Sequence, residues 1–532
     1  MNRMLALLVA GLLAASLAVP AVVVAKPGTA VRVVPPGNLP DDTAAIQTAL
    51  DWCVTQGPGC TVQLQAGTYH ISQLVTYNFR GTFKGAGKDR TTIEALPNLQ
   101  IDPGAPDGEC QPNLVTCRWM TLIMFVDGTI GVSDLAIDIP ATGGTASTEG
   151  FLFDALRFMG QRRTDVSVDR IAVQGRHDET RFGFNLVNGI LYTGELPRSS
   201  APMDFYMLSG SLTVRNSTFT TMFDGVGQDG FVRSSRVTIG GSPSAGNRFA
   251  DVLAGIDLET AEGSTFDVSY NVSSAAWDSM WVVPWAPEFV PSSPSHYLIH
   301  DNTFLTSPDA DEWAQGILLW DDPDNPWIQA KIWHNTIQLG APLGEGIDAT
   351  YTTDTEIRGN TITGAGEYAA IALWGATRGA VIANEVSGLT TDPDVGFAQI
   401  YLDPESADNH VVCGGPGVTV LDEGTGNKVT GCGSLNSKGG GHHGVAPGLL
   451  KPRLHPLAST TPVPSEPLGL SGRLALTDPD NPGTTSGAAP VQAGSNRGAI
   501  GADSRGQQTR TDRYRERGTP RWRTPPDAAR ST

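Results

Sequence analysis

A two-part repeat limits what this chain can fold into more than any other feature. One piece is Asn followed by a β-forming pair: "RNSTF" at Asn216, "DNTF" at Asn302, "HNTI" at Asn335, "GNTI" at Asn360 and "ANEV" at Asn384. The other is a small residue, an aliphatic one, a variable position and usually another apolar residue. It recurs at Gly225, Gly255, Ser279, Gly316, Gly346, Ala370 and Gln399, in steps of 30, 24, 37, 30, 24 and 29 residues. A step of 24 is too short for two strands and a crossover helix, which need about 30 residues or more. It suits three short strands joined by turns. One such coil cannot bury its apolar side, so coils must stack and pair their strands in parallel. Residues in excess of 24 go into loops. Asn before a strand suits a tight corner, because it tolerates left-handed backbone, and stacked Asn side chains form amide ladders. The expectation is an all-β parallel solenoid.

The start of the chain has a different pattern. "NLPDDTAAIQTALDWC" reads as a short amphipathic helix with Asp41 or Asp42 as N-cap and Ile46 and Leu50 on one face. "GCTVQLQAGTYHI" then alternates apolar and polar residues as a strand does, and "FRGTFKGAGKDRTTIEA" adds short β segments with a turn at Gly85 and Gly87. This opening, followed by the Asn-bearing coils, resembles the right-handed parallel β-helix proteins of the pectate-lyase-like superfamily over residues 38–435. The resemblance implies a right-handed parallel β-helix with a short N-terminal cap helix. It does not imply one activity. Of the polygalacturonase-type pieces "NTD", paired Asp, "GHG" and "RIK", only a paired Asp occurs, at Asp321 and Asp322. The Arg-based pattern of the pectate lyases is not evident.

Three segments follow from composition. Residues 1–25 read as a secretory signal: Arg3, an apolar run from Leu5 to Leu17, and small residues before Lys26. Residues 26–435 form the β-helix domain. Residues 436–532 lose apolar periodicity, are rich in Gly, Pro, Ser and Arg, and carry a net +6, which reads as a disordered tail. The signal predicts a secreted protein, extracellular or periplasmic, without stable membrane insertion once it is cleaved, and a monomer. Six cysteines fall into local pairs, Cys53 with Cys60, Cys110 with Cys117 and Cys413 with Cys432. Six allow 15 connectivities, and local disulfides are the simplest in an oxidising compartment. The net charge of −19 argues against a nucleic-acid partner.

The repeat also gives side-chain directions. If Ile256, Ile317, Ile347, Ile371 and Ile400 point into the column, the residues after them point out. Trp281, Trp320, Trp374 and Tyr401 then share one outer face with Asp257, Glu259, Asp348 and Asp403, and Asp321 and Asp322 lie just beyond a strand end. Rungs stack about 4.8 Å apart, and a sugar unit in an extended glycan advances by a similar distance. Aromatic platforms for sugar faces and carboxylates for hydroxyl groups suit a polysaccharide partner. Glycoside hydrolysis needs two carboxyl groups, about 5–5.5 Å apart for retention or about 6.5–9.5 Å for inversion. Asp257, Glu259 and Asp322 are the expected acid and base, with Trp281, Trp320, Asp348, Trp374, Tyr401 and Asp403 binding substrate. "WDDPDN" offers oxygen ligands for Ca²⁺, as a lyase would need, but no Arg or Lys base falls on the outward positions, so hydrolysis ranks first; no cofactor is assigned, and Ca²⁺ is the one candidate. The alternative of another class is a non-catalytic β-helix used for surface adhesion or structure.

Overall fold

The computed structural model describes residues 30–36, 40–96, 119–139, 152–176, 187–194, 207–230, 232–276, 278–284, 290–307, 314–340, 344–364, 369–389, 398–415 and 417–434. The expected signal, the tail and Cys110 with Cys117 lie outside them.

The described residues form a right-handed parallel β-helix. Each full coil presents three walls. Wall A contains the strand Arg248–Glu259 from Ala254 onward, its first residues Arg248 to Ala250 lying on wall C, and Asp278–Val283, Gln315–Trp320, Glu345–Thr350, Ile371–Trp374 and Ile400–Leu402. Wall B contains Thr265–Ser269, Ser295–His300, Ile328–Trp333, Glu356–Arg358 and Ala380–Ile382. Wall C contains Val272–Ala276, Thr303–Thr306, Thr336–Leu339, Thr361–Gly364 and Glu385–Ser387. Pairing is parallel on every wall, with a register shift on wall C between Ser273 and Ala276, and on wall A Ile256 meets Met280, then Ile317, Ile347, Ile371 and Ile400. The steps read from the sequence are therefore the rungs of wall A.

The core is the column enclosed by the walls. Ile256, Met280, Ile317 and Ile347 are completely buried. On wall B, Phe266 stacks on Tyr297 with ring centroids 4.5 Å apart, and on wall C, Phe219 stacks on Phe249 at 5.2 Å. Each ring packs against its equivalent one rung away, so burial accrues only when coils stack.

The corner between walls B and C has one recipe. Two residues separate the strands in each coil from Ser269–Val272 to Ile382–Glu385. The first has left-handed backbone (Tyr270, Asp301, His334, Gly359, Ala383). The second is Asn. Asn271, Asn302, Asn335, Asn360 and Asn384 form a ladder in which each side-chain N–H donates to the next Asn Oδ1, at 2.9–3.1 Å. Asn247 heads it. Asn216 is not a member. Phe219 aligns with Phe249, so Ser217 takes the ladder position, while Asn216 has φ 54° and donates to Asp169 at 2.7 Å. The extra Ser in "RNSTF" displaces the Asn by one residue.

The helix Thr43–Gln56 begins after Asp42 and buries Ile46, Ala49, Leu50 and Cys53 against the first coils. Asp41 accepts a hydrogen bond from the Thr43 N–H at 2.8 Å. Cys53–Cys60 ties the helix to the first coil and Cys413–Cys432 closes the last ones, as expected from spacing. Among the described residues no helix is long and apolar enough to cross a membrane.

Asn335 is 1% exposed, donates to the Ile299 carbonyl and to Asn360, and accepts from the backbone and side chain of Asn302. Asn335→Ala is expected to leave several of these buried groups unpaired and to lower stability by about 3 kcal/mol. Urea unfolding followed by circular dichroism checks this.

Candidate functional site

The outer face of wall A carries the ribbon expected from the repeat. Asp257 pairs with Trp281, Trp281 with Leu318, Leu318 with Asp348, Asp348 with Ala372 and Ala372 with Tyr401. Two residues further along, Trp320 pairs with Thr350 and Thr350 with Trp374. Residues up to 144 positions apart in sequence thus share one face.

The ribbon is far less exposed than a solvated face. Asp257 and Glu259 are 0% exposed, Trp281 7%, Tyr401 5% and Asp403 8%. Trp320, Thr350 and Trp374 are half-buried, so the aromatic row is open where the carboxylate row is closed. Acidic side chains are seldom fully buried unless paired. The layer continues at earlier rungs, where Arg157 and Asp154 form a buried ion pair at 2.6 Å and Asn188 donates to Asp154 at 2.9 Å.

A second acidic residue joins the ribbon against strict alternation. Period two places Glu345 inside the column, because Ile347 points inward. However, Gly346 also faces the core: a Cβ there would meet the Ile362 side chain at 2.7 Å and the Ala370 carbonyl at 2.5 Å. Two successive inward positions put Glu345 and Asp348, three apart, on the same outer face. Gln315, on the preceding rung, bridges them. Its Nε2 donates to Asp348 Oδ2 at 3.0 Å and to Glu345 Oε2 at 3.3 Å. Thr350 Oγ1 donates to Asp348 Oδ1 at 2.8 Å. Burial is the main force raising both carboxyl groups above their ordinary values, and the negative charge of Asp348 raises Glu345 further. Sequence reasoning assigned Asp348 and missed Glu345. The available signal was the small residue recurring just before each inward Ile, which marks the extra inward position.

The remaining residues have local roles. Asp321 is fully buried, and its carboxylate accepts from the backbone N–H groups of Asp322, Trp327 and Ile328 at 2.8–3.2 Å. It organises the turn that carries Asp322, whose Oδ1 accepts from the Asp324 N–H at 3.0 Å. Asp403 accepts from the Gly375 N–H and Ser406 Oγ, both at 2.8 Å. Tyr401 donates to Glu423 and meets the Trp374 ring edge-on at 4.9 Å. Among the described residues, no three His, Cys, Asp or Glu side chains are grouped to hold a metal ion.

Length variation also borders this wall. From Ser269–Val272 to Ile382–Glu385 the B–C corner is constant, although seven residues separate Gly240 from Arg248 one coil earlier, whereas 11 residues separate Val283 from Ser295 and eight separate Thr306 from Gln315, on the two flanks of wall A. Functional groups concentrate where a rigid scaffold meets variable loops.

Burial pushes the Asp321 carboxyl up to about 7 despite its three backbone donors. A folded-state value above the unfolded one, about 4, favours the native state below about pH 4, and this contribution is lost as pH rises through 7. The wild type should lose more stability than Asp321→Asn between about pH 4.5 and 7.5. Denaturant midpoints at the two pH values measure it.

No family model matches the chain, and no curated protein matches it. Among solved structures it is similar to a mannuronan C-5 epimerase A-module from Azotobacter vinelandii, at 15% identity and TM-score 0.45, covering 74% of this chain and 95% of that one. The Dettilon tailspike protein is similar at 14% identity and TM-score 0.46, covering 76% and 68%. A mutant of DFA-IIIase from Arthrobacter chlorophenolicus A6 in complex with DFA-III is similar at 13% identity and TM-score 0.43, covering 74% and 97%. Likeness at this level assigns no activity. The parallel β-helix stands on the strand pairing of the chain itself, and its ribbon on wall A has to be read from its own residues.

Proposed function

We propose that this is a secreted protein that binds an extracellular polysaccharide along wall A and hydrolyses it. The observation that carries the reading is the coincidence on one wall of an open aromatic row with a buried acidic one. Trp320 and Trp374 are two rungs apart, about 10 Å, with Thr350 between them. Sugar rings present C–H faces to such platforms, and the polar groups beside them take the hydroxyls.

The wall offers two carboxyl sets for the chemistry. Asp257 and Glu259 lie on one strand with one residue between them, so their side chains share the outer face. Asp348, with Glu345, lies three rungs away, about 14 Å along the ribbon, so the two sets cannot flank the same bond. Asp322 stands at the rim past Trp320. Asp257 and Glu259 remain candidates for acid and base at the closed end, and Trp281, Tyr401 and Asp403 support the flanking parts of the ribbon.

A reducing-sugar assay over a panel of neutral and acidic polysaccharides tests the reading. Wild type should release reducing ends without the absorbance of unsaturated products. Trp320→Ala and Trp374→Ala should each weaken polysaccharide binding by about tenfold, the worth of one buried aromatic contact. Release that persists in Asp257→Ala and Glu259→Ala removes those two from the chemistry. Binding without release from any polymer leaves an adhesin, and unsaturated products make the protein a lyase.

A further inference from the structure

The carboxyl groups of Glu345 and Asp348 converge on one neutral donor, the Gln315 amide. Glu345 is 1% and Asp348 7% exposed. Among the described residues no Lys, Arg or His lies within ion-pair distance of either. The neighbouring strand Ile371–Trp374 contributes no charged residue, and on the opposite side, one strand past Gln315–Trp320, Asp278 is engaged through its Oδ1 by the Gln315 N–H at 2.7 Å. Two negative charges so close in a water-poor site repel strongly, so the pair retains a proton where isolated carboxyl groups would have lost both. Glu345 Oε1 is buried without a hydrogen-bond partner. On the other side, Asp348 is linked through Thr350 Oγ1 to the half-buried row of Trp320, Thr350 and Trp374. A proton stored in the pair therefore has one outlet toward the open part of the wall, through Asp348.

We propose that Asp348 is the proton donor at the cleaved glycosidic bond and that Glu345 is a positioning residue that shares its proton. The inference rests on the hydrolytic reading above. Asp348 gives its proton to the bridging oxygen as the bond from that oxygen to the anomeric carbon breaks, and the electron pair stays on the oxygen. Water adds to the anomeric carbon as the bridging oxygen leaves, and its proton passes to bulk water. Exchange with solvent returns a proton to the pair. The two states of the pair have distinct uses. With one proton it is a donor, and with none it is inert, so Glu345 extends the pH range over which Asp348 can act.

The test uses the full chain and the polymer from which wild type releases reducing ends. Asp348→Asn should lower kcat by about 10²–10⁴-fold, the range for loss of a general acid, with KM within about threefold. Glu345→Gln should keep KM and most of the maximal kcat, and move the alkaline limb of the kcat profile to lower pH. A merely structural Glu345 would lower kcat at every pH alike. Carboxyl ¹³C titration provides a readout without substrate: two coupled steps in wild type, one in Glu345→Gln. Full turnover in a folded Asp348→Asn, or an unmoved alkaline limb in Glu345→Gln, overturns the inference and leaves the hydrolytic reading standing. Release from no polymer overturns that reading and the inference with it.

Discussion

Register between stacked coils is the constraint on which the rest of this structure depends. A single coil has an apolar edge it cannot cover, and rings such as Phe266 and Tyr297 are buried only by the rung above or below. A one-residue slip on any wall would turn the inward row outward. The chain secures register with the Asn ladder, whose buried amides each bond to the next rung. The ladder also explains which part of the coil is fixed in length. From Ser269–Val272 to Ile382–Glu385 its geometry permits one left-handed residue and one Asn between walls B and C, and there extra residues fall on the flanks of wall A.

That division separates stability from chemistry. Walls B and C and their corner repeat the same solution coil after coil. Wall A departs from it, with acids in place of solvated polar residues on its outer face. Burying Asp257, Glu259, Glu345 and Asp348 opposes folding, because desolvation disfavours their charged forms. A solvated surface of serine and threonine would have been less costly. Among the described residues the buried acids that lie on a wall face are concentrated on wall A, which is the physical support for proposing function there.

Much of this was legible in the chain. The spacing of Gly255, Ser279, Gly316, Gly346 and Ala370 gave the rungs residue by residue, because strand pairing leaves no freedom once the inward row is found. The ribbon of Asp257, Trp281, Asp348 and Tyr401 followed from alternation. Burial did not follow: period two tells inside from outside the column, but not covered from uncovered on the outer side. Asp257 and Glu259 were expected at a surface and have no exposure. Glu345 was hidden for a different reason, since a single extra inward residue at Gly346 breaks the alternation locally. Asn216 was misassigned to the ladder by the same kind of one-residue shift.

The local break at Gly346 is also what makes a carboxyl pair available. Strict alternation places same-face neighbours two apart, and their side chains stand side by side along the strand. Two successive inward residues bend the strand and bring positions three apart onto one face. Asp154 and Arg157 meet in the same way at an earlier rung, where the partners have opposite charge and form an ion pair at 2.6 Å. At Glu345 and Asp348 the partners have like charge, and the same backbone device produces repulsion and a retained proton in place of attraction. Backbone geometry fixes which residues meet on this wall. The side chains at those positions decide whether the meeting is a clamp or a source of protons.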